Sequence, residues 1–351
     1  MAKENIVTKN LQSFWEKKGE KIIEKYKDRL KAPEGNSLDE EILNERLAEC
    51  KTLIITANHI EGIIVSKCLT ELNRCGKMLD EIAADGHLYQ FAEIDEKPVV
   101  HIWPQNTSSF TIFGSFNALT AAFKRFTPKR VFSIGVAFGS IPRGQNDNRR
   151  EAQELGDVIV SEQLIFYDAF NKRKNGSLTL NANEVYCPSD KLLGGWRRFL
   201  NTKNHLYDIC KKDGKEPFDW HLGSILTGGT VLSDANEKRR LLRAAGAIGR
   251  SNVVGGEMEG CGVYFACQGA KREIPFIVVK GICDWGEQKN GWDFATKDGV
   301  SCDDIKDCVQ AYACENAFFA MRYLLKHTPR ERKNPLSPKP NPSVKISPFA
   351  S

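Results

Sequence analysis

The amino-acid sequence predicts an α/β fold, in which a mostly parallel sheet carries helices on both faces and follows a helical N-terminal extension. From residue 51 to residue 327, short runs rich in β-branched residues alternate with segments of helical periodicity. This alternation is typical of strand–helix–strand units, because the helix returns the chain so that the next strand runs parallel to the first. Residues 1–50 show helical spacing instead.

The N-terminal extension, residues 1–50, carries apolar residues at roughly helical spacing before a Pro33-Glu34-Gly35-Asn36 segment that interrupts the pattern. We expect one or two helices here. Packing on the surface of the core is favoured over a free arm that docks a partner. The apolar residues are Leu11, Phe14, Trp15, Ile22, Ile23 and Tyr26.

The domain at 51–327 contains the predicted elements of the sheet. Residues 171–219 are poorly periodic and rich in Gly, Asn and Lys, which predicts an insertion or a long excursion near the site. Residues 328–351 hold six prolines among lysines and serines, and we expect a Pro/Lys-rich disordered tail. The predicted strands are 52–56, 99–103, 130–135, 157–161, 221–227, 252–256 and 276–281, and the predicted helices are 62–72, 116–126, 236–245, 260–268 and 305–325.

Composition argues against several classes of protein. No window approaches the roughly 18 consecutive apolar residues of a membrane span, and the N-terminus lacks the apolar centre of a signal peptide, so we expect a cytoplasmic protein without a membrane. The net charge of +5 over 351 residues is small, and acidic and basic residues are interspersed along the chain. Both observations argue against a nucleic-acid partner. The 11 cysteines include no Cys-x-x-Cys pair. We therefore expect reduced thiols, no metal site and no cofactor.

Carboxylates follow two of the late predicted strands. Glu257 and Glu259 come directly after the strand at 252–256, and Asp284 follows the strand at 276–281. Carboxylates at strand ends can bind the hydroxyls of a sugar and move a proton, whereas a chain that needed only a core would place apolar residues there. The pattern indicates a small-molecule substrate that contains a sugar.

A fourth carboxylate, Glu61, comes five residues after the first strand. It lies at the ligand-binding edge of the predicted sheet, but position alone favours a glutamate that complements the N-terminal dipole of the next helix. The segment from Gly135 to Ser140 predicts a turn whose N–H groups could meet a ligand, which is a weak signal because glycines also serve ordinary turns.

Taken together, these motifs resemble the superfamily of purine nucleoside phosphorylases and methylthioadenosine nucleosidases, and most of all its nucleosidase branch. The resemblance covers residues 51–326, and only the combination of motifs is specific. The matching segments are 53–57 with Glu61, 114–118, Ile134-Gly135-Val136-Ala137-Phe138-Gly139, 155–161, 227–229, Glu257-Met258-Glu259-Gly260, Lys280-Gly281-Ile282-Cys283-Asp284 and 310–313.

The resemblance implies a single domain with a central mixed sheet that curls toward a barrel, and cleavage of the bond between a purine and ribose. Asp284 matches the acid that serves the purine, and Glu61 matches the carboxylate that activates water. Glu259 matches the residue that binds the ribose 2′- and 3′-hydroxyls, and Met258 the one that packs on the sugar. Further substrate-binding residues that we expect are Ala137, Phe138, Gly139, Phe166, Tyr167, Val231 and Glu257.

Glu61 also bears on the choice between hydrolysis and phosphorolysis. The related phosphorylases usually place an Arg-bearing, Gly-rich phosphate loop after the first strand, whereas this chain has Asn58-His59-Ile60-Glu61. A carboxylate there would repel phosphate and attract the proton of water. Hydrolysis by a purine nucleosidase is therefore favoured. The alternatives are a phosphorolytic purine nucleoside phosphorylase and a non-catalytic nucleoside-binding protein.

The sequence departs from the family pattern at Phe138, where small nucleosidases commonly have glycine, and at Gly229 and Val231, which replace Asp and Phe. Loss of that aromatic residue leaves adenine specificity open, although Phe166 or Tyr167 could stack on the base in its place or simply pack in the core.

The group at the ribose 5′ position is not fixed by the motifs, and AMP or ATP is among the substrates we expect. If this group is a phosphate or polyphosphate, five basic residues are candidate partners for it. The same residues are equally typical of a solvated surface. The larger superfamily members that this chain resembles serve signalling or defence, and the resemblance also implies a homo-oligomer, at least a dimer, with the site near an interface. The candidate cations are Arg143, Arg149, Arg150, Lys172 and Arg173.

Overall fold

The structure is a computed structural model. The predicted tail at 328–351 and most of the predicted insertion at 171–219 lie outside the residues that the structure describes. The described residues are 6–28, 30–73, 78–104, 112–142, 152–168, 170–172, 178–180, 185–188, 192–193, 197, 210, 216–287, 292–296 and 300–327.

The N-terminal extension is helical, as predicted, and it packs on the core. The ring of Phe14 lies 6.1 Å from that of Tyr312 and 6.5 Å from that of Trp292. The extension also contributes a short strand and a third helix. Its elements are α1 (Ile6–Phe14), a π-helical turn (Trp15–Gly19), α2 (Glu20–Tyr26), β1 (Asn36–Ser37), a 3₁₀ turn (Glu40–Ile42) and α3 (Leu43–Glu49).

The remaining elements confirm every predicted strand and helix. They are β2 (Thr52–Ile55), α4 (His59–Leu72), β3 (Asp80–Ala84), β4 (His87–Ile94), β5 (Lys97–Pro104), α5 (Ile112–Arg125), β6 (Arg130–Gly139), β7 (Val158–Phe166), β8 (Phe170–Lys172), β9 (Leu178–Leu180), β10 (Val185–Tyr186), β11 (Trp220–Thr227), α6 (Ala235–Ala247), β12 (Val253–Glu257), α7 (Gly260–Gly269), β13 (Phe276–Asp284), a 3₁₀ turn (Asp293–Ala295) and α8 (Cys302–His327).

Besides the short strands β1, β8, β9 and β10, two longer strands were not predicted, β3 and β4. They form antiparallel hairpins, β3 with β4 and β4 with β5. The turns carry Asp85 and Gly86 at φ 55° and 75°, and Asp95 and Glu96 at φ 48° and 65°. Two residues with positive φ are the requirement of a tight turn whose twist matches that of its strands, and Asp-Gly is a common sequence for it. Asp85-Gly86 was therefore a usable signal.

The segment from Gly135 to Ser140 is not the predicted turn. The strand β6 continues to Gly139, because β12 pairs with its last residues, Gly255 opposite Gly139 and Gly256 opposite Phe138. Small residues on both strands permit this pairing, since a Cβ on Gly255 would overlap the backbone of Phe138. The backbone of this segment therefore pairs within the sheet as far as Gly139.

The sheet is mixed and closes on itself. Its path runs β1-β3-β4-β5-β2-β6-β12-β11-β7-β10, and β13 pairs with both β6 and β7. The strands β6, β12, β11, β7 and β13 therefore form a closed ring, which is the curl toward a barrel that the family resemblance implied. Because β2, β6 and β13 run parallel, Lys280 lies beside Gly135 and Asp284 beside Phe138.

The long helix α8 packs against β13, β6 and α4. Contact with β13 is close at Gly281, where a Cβ would overlap the backbone of Ala313. The ten cysteines that the structure describes form no disulfide. Among the described helices, none is both long and apolar enough to cross a membrane.

The contact at Gly281 gives a test of this packing. Replacing Gly281 by alanine is expected to lower the free energy of unfolding by about 3 kcal/mol, because the new methyl group must displace a helix backbone rather than a side chain. Urea denaturation measures the change. The matched control is Gly246→Ala on the exposed side of α6, which meets no atom within 4 Å and should be stabilising by roughly 0.5 kcal/mol. Equal effects of the two substitutions would contradict the close contact.

Candidate active site

A cavity of about 410 Å³ opens where the loop after β2, the strand β6 and the ends of β12 and β13 meet. Glu61 and Asp284, the two predicted catalytic residues, both line it. Met258 and Glu259, predicted to hold the sugar, line it as well. The structure thus places side chains from four separate elements around one space. Other predicted residues in the lining are Ala137, Phe138, Tyr167, Val231 and Glu257.

Glu61 lies in the first turn of α4 and is only 2% exposed. It forms a capping box with Asn58, whose side chain accepts from the Glu61 N–H at 2.8 Å. The carboxylate accepts from the N–H groups of Ala57 and Val136, each at 2.8 Å, and of Asn58 at 3.2 Å. The local role suggested by helix position is therefore real, and the same side chain also bridges to β6.

Gly135 makes that bridge possible. A Cβ at this position would overlap the carboxylate of Glu61, so a side chain there would force the glutamate away from β6. The glycine next to Val136 thus serves a close side-chain approach rather than the backbone turn that the sequence suggested.

Lys280 is a residue of this site to which the sequence analysis assigned no role. Its side chain is fully buried, and its Nζ lies 2.8 Å from Glu259 Oε2 and 4.0 Å from both Glu61 Oε1 and Glu257 Oε2. A lysine inside the otherwise apolar run of β13 was the available signal, because a buried ammonium requires partners of opposite charge. We refer to Lys280, Glu61, Glu257 and Glu259 as the buried charge cluster.

Glu257 serves the backbone more than the cavity. Its side chain is fully buried, and its Oε2 accepts from the N–H groups of Glu259 at 2.9 Å and Gly260 at 2.8 Å. These N–H groups belong to the start of α7, where a carboxylate complements the helix dipole. Glu257 therefore fixes the position of Glu259.

The pKa values of the buried charge cluster follow from its composition. Burial, the largest effect, raises the pKa of Glu61, and so does the charge of Glu259, while Lys280 opposes the shift. Burial and Glu259 likewise raise the pKa of Glu257 to about 7. Burial alone would lower the pKa of Lys280, but the three glutamates outweigh it and raise that pKa. The lysine is therefore charged, and the cluster can take up a proton near neutral pH.

Asp284 ends β13 at the start of a short turn, and it is partly exposed. Its Oδ1 accepts from the N–H of Gly286 at 2.6 Å, and Gly286 has φ 64°. A left-handed glycine closes the turn so that the chain hydrogen-bonds back to the carboxylate. The second carboxyl oxygen lies 3.6 Å from the thiol of Cys283.

Aromatic side chains shape the walls. The ring of Phe138 packs against Gly256 and Gly286, so the departure from the family glycine fills space that two other glycines leave open. Tyr167 is 4% exposed, and its hydroxyl donates to the carbonyls of Gly228 and Thr230. It thereby holds the loop that places Val231, 53% exposed, at the mouth.

Two predicted residues lie outside the lining. Gly139 sits beneath the ring of Trp285, where a Cβ would overlap the indole. Phe166 is partly buried against the core at the end of β7. Of the candidate cations, Arg143, Arg149, Arg150 and Arg173 lie outside the described residues, and the structure describes only the backbone of Lys172, on β8.

Asn58, Asp307 and Gln310 also line the cavity, together with His59, whose ring lies 5.5 Å from that of Trp103. Asp307 and Gln310 belong to α8. No group of three or more His, Cys, Asp or Glu side chains suited to a metal ion occurs in the part of the chain that the structure describes.

Comparison with known proteins places this site in context. Residues 115–317 match the family described as the phosphorylase superfamily. The ATP nucleosidase Cap17 of Escherichia coli is 26% identical over 236 residues, which cover 59% of this chain and 44% of that protein. A death domain-containing ATP nucleosidase of Amphimedon queenslandica is 28% identical over 175 residues, which cover 47% of this chain and 30% of that protein. The chain thus spans less than half the length of these relatives.

Solved structures share the fold. Futalosine hydrolase of Helicobacter pylori matches with a TM-score of 0.55 and 15% identity, over 80% of this chain and 98% of that one. The 5′-methylthioadenosine/S-adenosylhomocysteine nucleosidase of Neisseria meningitidis, in complex with methylthio-immucillin-A, has the same TM-score and identity, over 79% and 99%. At this level of identity the likeness establishes the architecture.

The raised pKa of Glu257 predicts a pH-dependent difference in stability. A carboxyl whose pKa is about 7 when folded, against an ordinary 4.5, contributes stability that is present below pH 4.5 and lost as the pH rises through 7. Glu257→Gln removes this dependence. Between pH 4.5 and 8 the unfolding free energy of the variant should gain roughly 3 kcal/mol relative to that of the unmodified chain.

Thermal and urea unfolding across this pH range measure the difference. The control is Glu24→Gln, which replaces an exposed glutamate of α2. Its free energy of unfolding should change with pH in parallel with that of the unmodified chain. Parallel curves for Glu257→Gln as well would show that Glu257 is not held in its proton-retaining environment.

Proposed function

This chain belongs to the phosphorylase superfamily, and we propose that its cavity hydrolyses the N-glycosidic bond of a purine nucleoside or nucleotide and releases the free base. The observation that carries the proposal is the joint lining of one cavity by Glu61, Glu259 and Asp284, with Lys280 buried behind the two glutamates. Water, ribose and base each require one of these carboxyl groups.

Glu259 is the ribose ligand in this proposal. One of its oxygens accepts from Lys280 at 2.8 Å, which fixes the side chain. An ionised carboxylate can accept from two neighbouring hydroxyls, and ribose presents such a pair at C2′ and C3′. Met258, the adjacent residue, offers an apolar surface to the sugar.

Glu61 is the base for water. Its backbone hydrogen bonds hold the carboxylate rigidly, and its raised pKa makes it a stronger base than an exposed glutamate. The water oxygen forms a bond to C1′ as its proton passes to Glu61. Lys280, 4.0 Å from Glu61 Oε1, moderates the charge of the cluster while the proton moves.

Asp284 is the general acid that protonates the leaving purine in this proposal. When the bond from C1′ to the purine nitrogen breaks, its electron pair remains on the purine, and protonation of a ring nitrogen such as N7 neutralises the charge. The Gly286 N–H stabilises the carboxylate that Asp284 becomes after donating its proton. The products are the free base and ribose, with whatever group its 5′ position carries.

Hydrolysis is favoured over phosphorolysis by the charges around the cavity. Of the described residues that line it, none is lysine or arginine, whereas Glu61, Glu257, Glu259, Asp284 and Asp307 are all acidic. A phosphate dianion would enter against these carboxylates, and neutral water would not. Phosphorolysis remains the second candidate activity because members of the superfamily include phosphorylases.

Adenine-type substrates, including AMP and ATP, are part of the proposal, and two relatives named ATP nucleosidases support them. A role as a signalling or defence effector in the cytoplasm follows if a cellular nucleotide is destroyed. A non-catalytic nucleoside-binding role is less favoured. A module that only binds would need neither Asp284 beside the purine nor a buried glutamate with a raised pKa, such as Glu61.

A homo-oligomer, at least a dimer, is also proposed. Val231 at the cavity mouth is 53% exposed and Phe265 on α7 is 41% exposed. Large apolar side chains that remain exposed are typical of surfaces that a second chain covers.

The reaction is tested with a panel of adenosine, methylthioadenosine, AMP and ATP, with and without inorganic phosphate. We expect free purine from at least one substrate, at a rate that phosphate does not change, and no ribose 1-phosphate. Asp284→Asn should lower kcat by at least about 100-fold, since general acid catalysis typically contributes 10²–10⁴-fold. Chromatography of the base and the sugar product gives both measurements.

If release of the free purine depends on phosphate, the reaction is phosphorolysis and not hydrolysis. If the chain releases no base from any of the four compounds, or Asp284→Asn acts at the unmodified rate, the mechanism is wrong. The matched control is Asp219→Asn, a carboxyl outside the lining of this cavity, which should act normally.

The assignment of Glu259 predicts a specificity. The unmodified chain should prefer a ribonucleoside over its 2′-deoxy analogue by roughly 100-fold in kcat/KM, because the analogue leaves a buried carboxylate without a hydroxyl partner. Glu259→Gln should reduce that preference to about threefold. Competition between the two nucleosides in one assay measures the ratio, and an unchanged preference in the variant would remove Glu259 from the ribose site.

A further inference from the structure

Lys238 is a buried lysine that the chemistry so far leaves without a role. It lies on α6, it is 3% exposed, and it is not part of the cavity lining. Burying an ammonium costs free energy unless the surrounding groups replace its water. Its partners therefore indicate what the lysine does.

Those partners belong to the turn that follows Asp284. The Nζ of Lys238 donates to the carbonyl of Trp285 at 2.5 Å and lies 3.7 Å from Glu287 Oε1. Trp285 and Glu287 flank Gly286, the residue whose N–H donates to Asp284 Oδ1 at 2.6 Å. The ammonium and the Asp284 carboxylate thus hold the same turn from opposite ends.

The position of Lys238 is itself fixed. Asp234 caps α6 by accepting from the N–H groups of Asn236 and Glu237 at 2.6 and 2.9 Å. The buried side chains of Leu241 and Ala245 hold the helix against the core. The lysine therefore reaches the turn from a rigid element, as a positioning group should.

The positive charge of Lys238 interacts with the two carboxylates of the turn, those of Asp284 and Glu287. Burial lowers the pKa of Lys238, and the charges of Glu287 and Asp284 oppose that shift. The ammonium also lies 5.9 Å from the centre of the Phe138 ring, which packs on Gly286. Glu287 is balanced by this lysine, so it does not stand as an unpaired negative charge beside Asp284.

We propose that Lys238 is a positioning residue for Asp284: by binding the Trp285 carbonyl and Glu287, it fixes the turn so that the Asp284 carboxyl faces the base of the substrate. This inference rests on the proposed function, in which Asp284 is the acid. Lys238 is not among the residues that line the cavity, and in this proposal it acts only through the geometry of residues 284–287. A displacement of about 1 Å at an acid can cost as much as 100-fold in rate.

The test compares Lys238→Met, which keeps the length and apolar stem, with Lys238→Arg, which keeps the charge and the donors. The matched control is Lys97→Met, since Lys97 Nζ also donates to a backbone carbonyl, that of Leu325 at 2.7 Å, and neither residue lines the cavity. Steady-state kinetics use whichever of adenosine, methylthioadenosine, AMP and ATP releases base fastest.

We expect Lys238→Met to lower kcat about tenfold or more while KM stays within about threefold, because the acid is displaced and the ribose site is intact. Lys238→Arg should recover at least part of kcat, and Lys97→Met should change neither constant. An unchanged kcat in Lys238→Met overturns the inference. So does a rise in KM that matches the loss of kcat, or an arginine variant as slow as the methionine variant.

Should Lys238→Met fail to fold, Glu287→Gln decides the matter. It removes the ionic partner and leaves the lysine in place, and kcat should fall about threefold with KM unchanged. A normal kcat in Glu287→Gln then overturns the inference. If the unmodified chain itself releases no base, the proposed function fails first, which separates the two outcomes.

Discussion

The pairing of one buried lysine with three glutamates is the constraint around which the site is organised. Lys280 donates to Glu259 at 2.8 Å and lies 4.0 Å from Glu61 and Glu257, all of them nearly or fully inaccessible to water. Carboxylates so close together would repel one another in a medium of low polarity. The lysine permits their assembly, and their excess negative charge leaves a proton-accepting group at the cavity floor.

The closed ring of strands brings these groups together. Lys280 lies on β13, Glu259 follows β12, and Glu61 follows β2 and bonds to the backbone of β6. Each side chain comes from a different part of the sequence, and only strand pairing fixes their distances. Glycines at the closest approaches, such as Gly135 under Glu61 and Gly255 beside Phe138, keep space for this closure. The site is therefore as rigid as the barrel that carries it.

The side of the cavity that holds Asp284 is built differently from the side that holds Glu259. Asp284 is partly exposed and lies on a turn, where a left-handed glycine and a lysine from α6 supply the order that burial supplies elsewhere. Phe138 fills the space between that turn and β12. Gly256 and Gly286 leave the room that this large ring requires.

The sequence by itself determined the order and type of seven strands and five helices from residue 51, because period and β-branched content are local properties. It also placed Glu61, Glu259 and Asp284 at strand ends. It did not predict β3 and β4, whose Asp85-Gly86 turn was the only strong local signal. Only the tertiary structure decided that β6 continues past Gly135, that Glu257 caps α7, and that Lys280 faces three carboxylates. Such partners depend on the register between strands far apart in the chain, which no local pattern encodes.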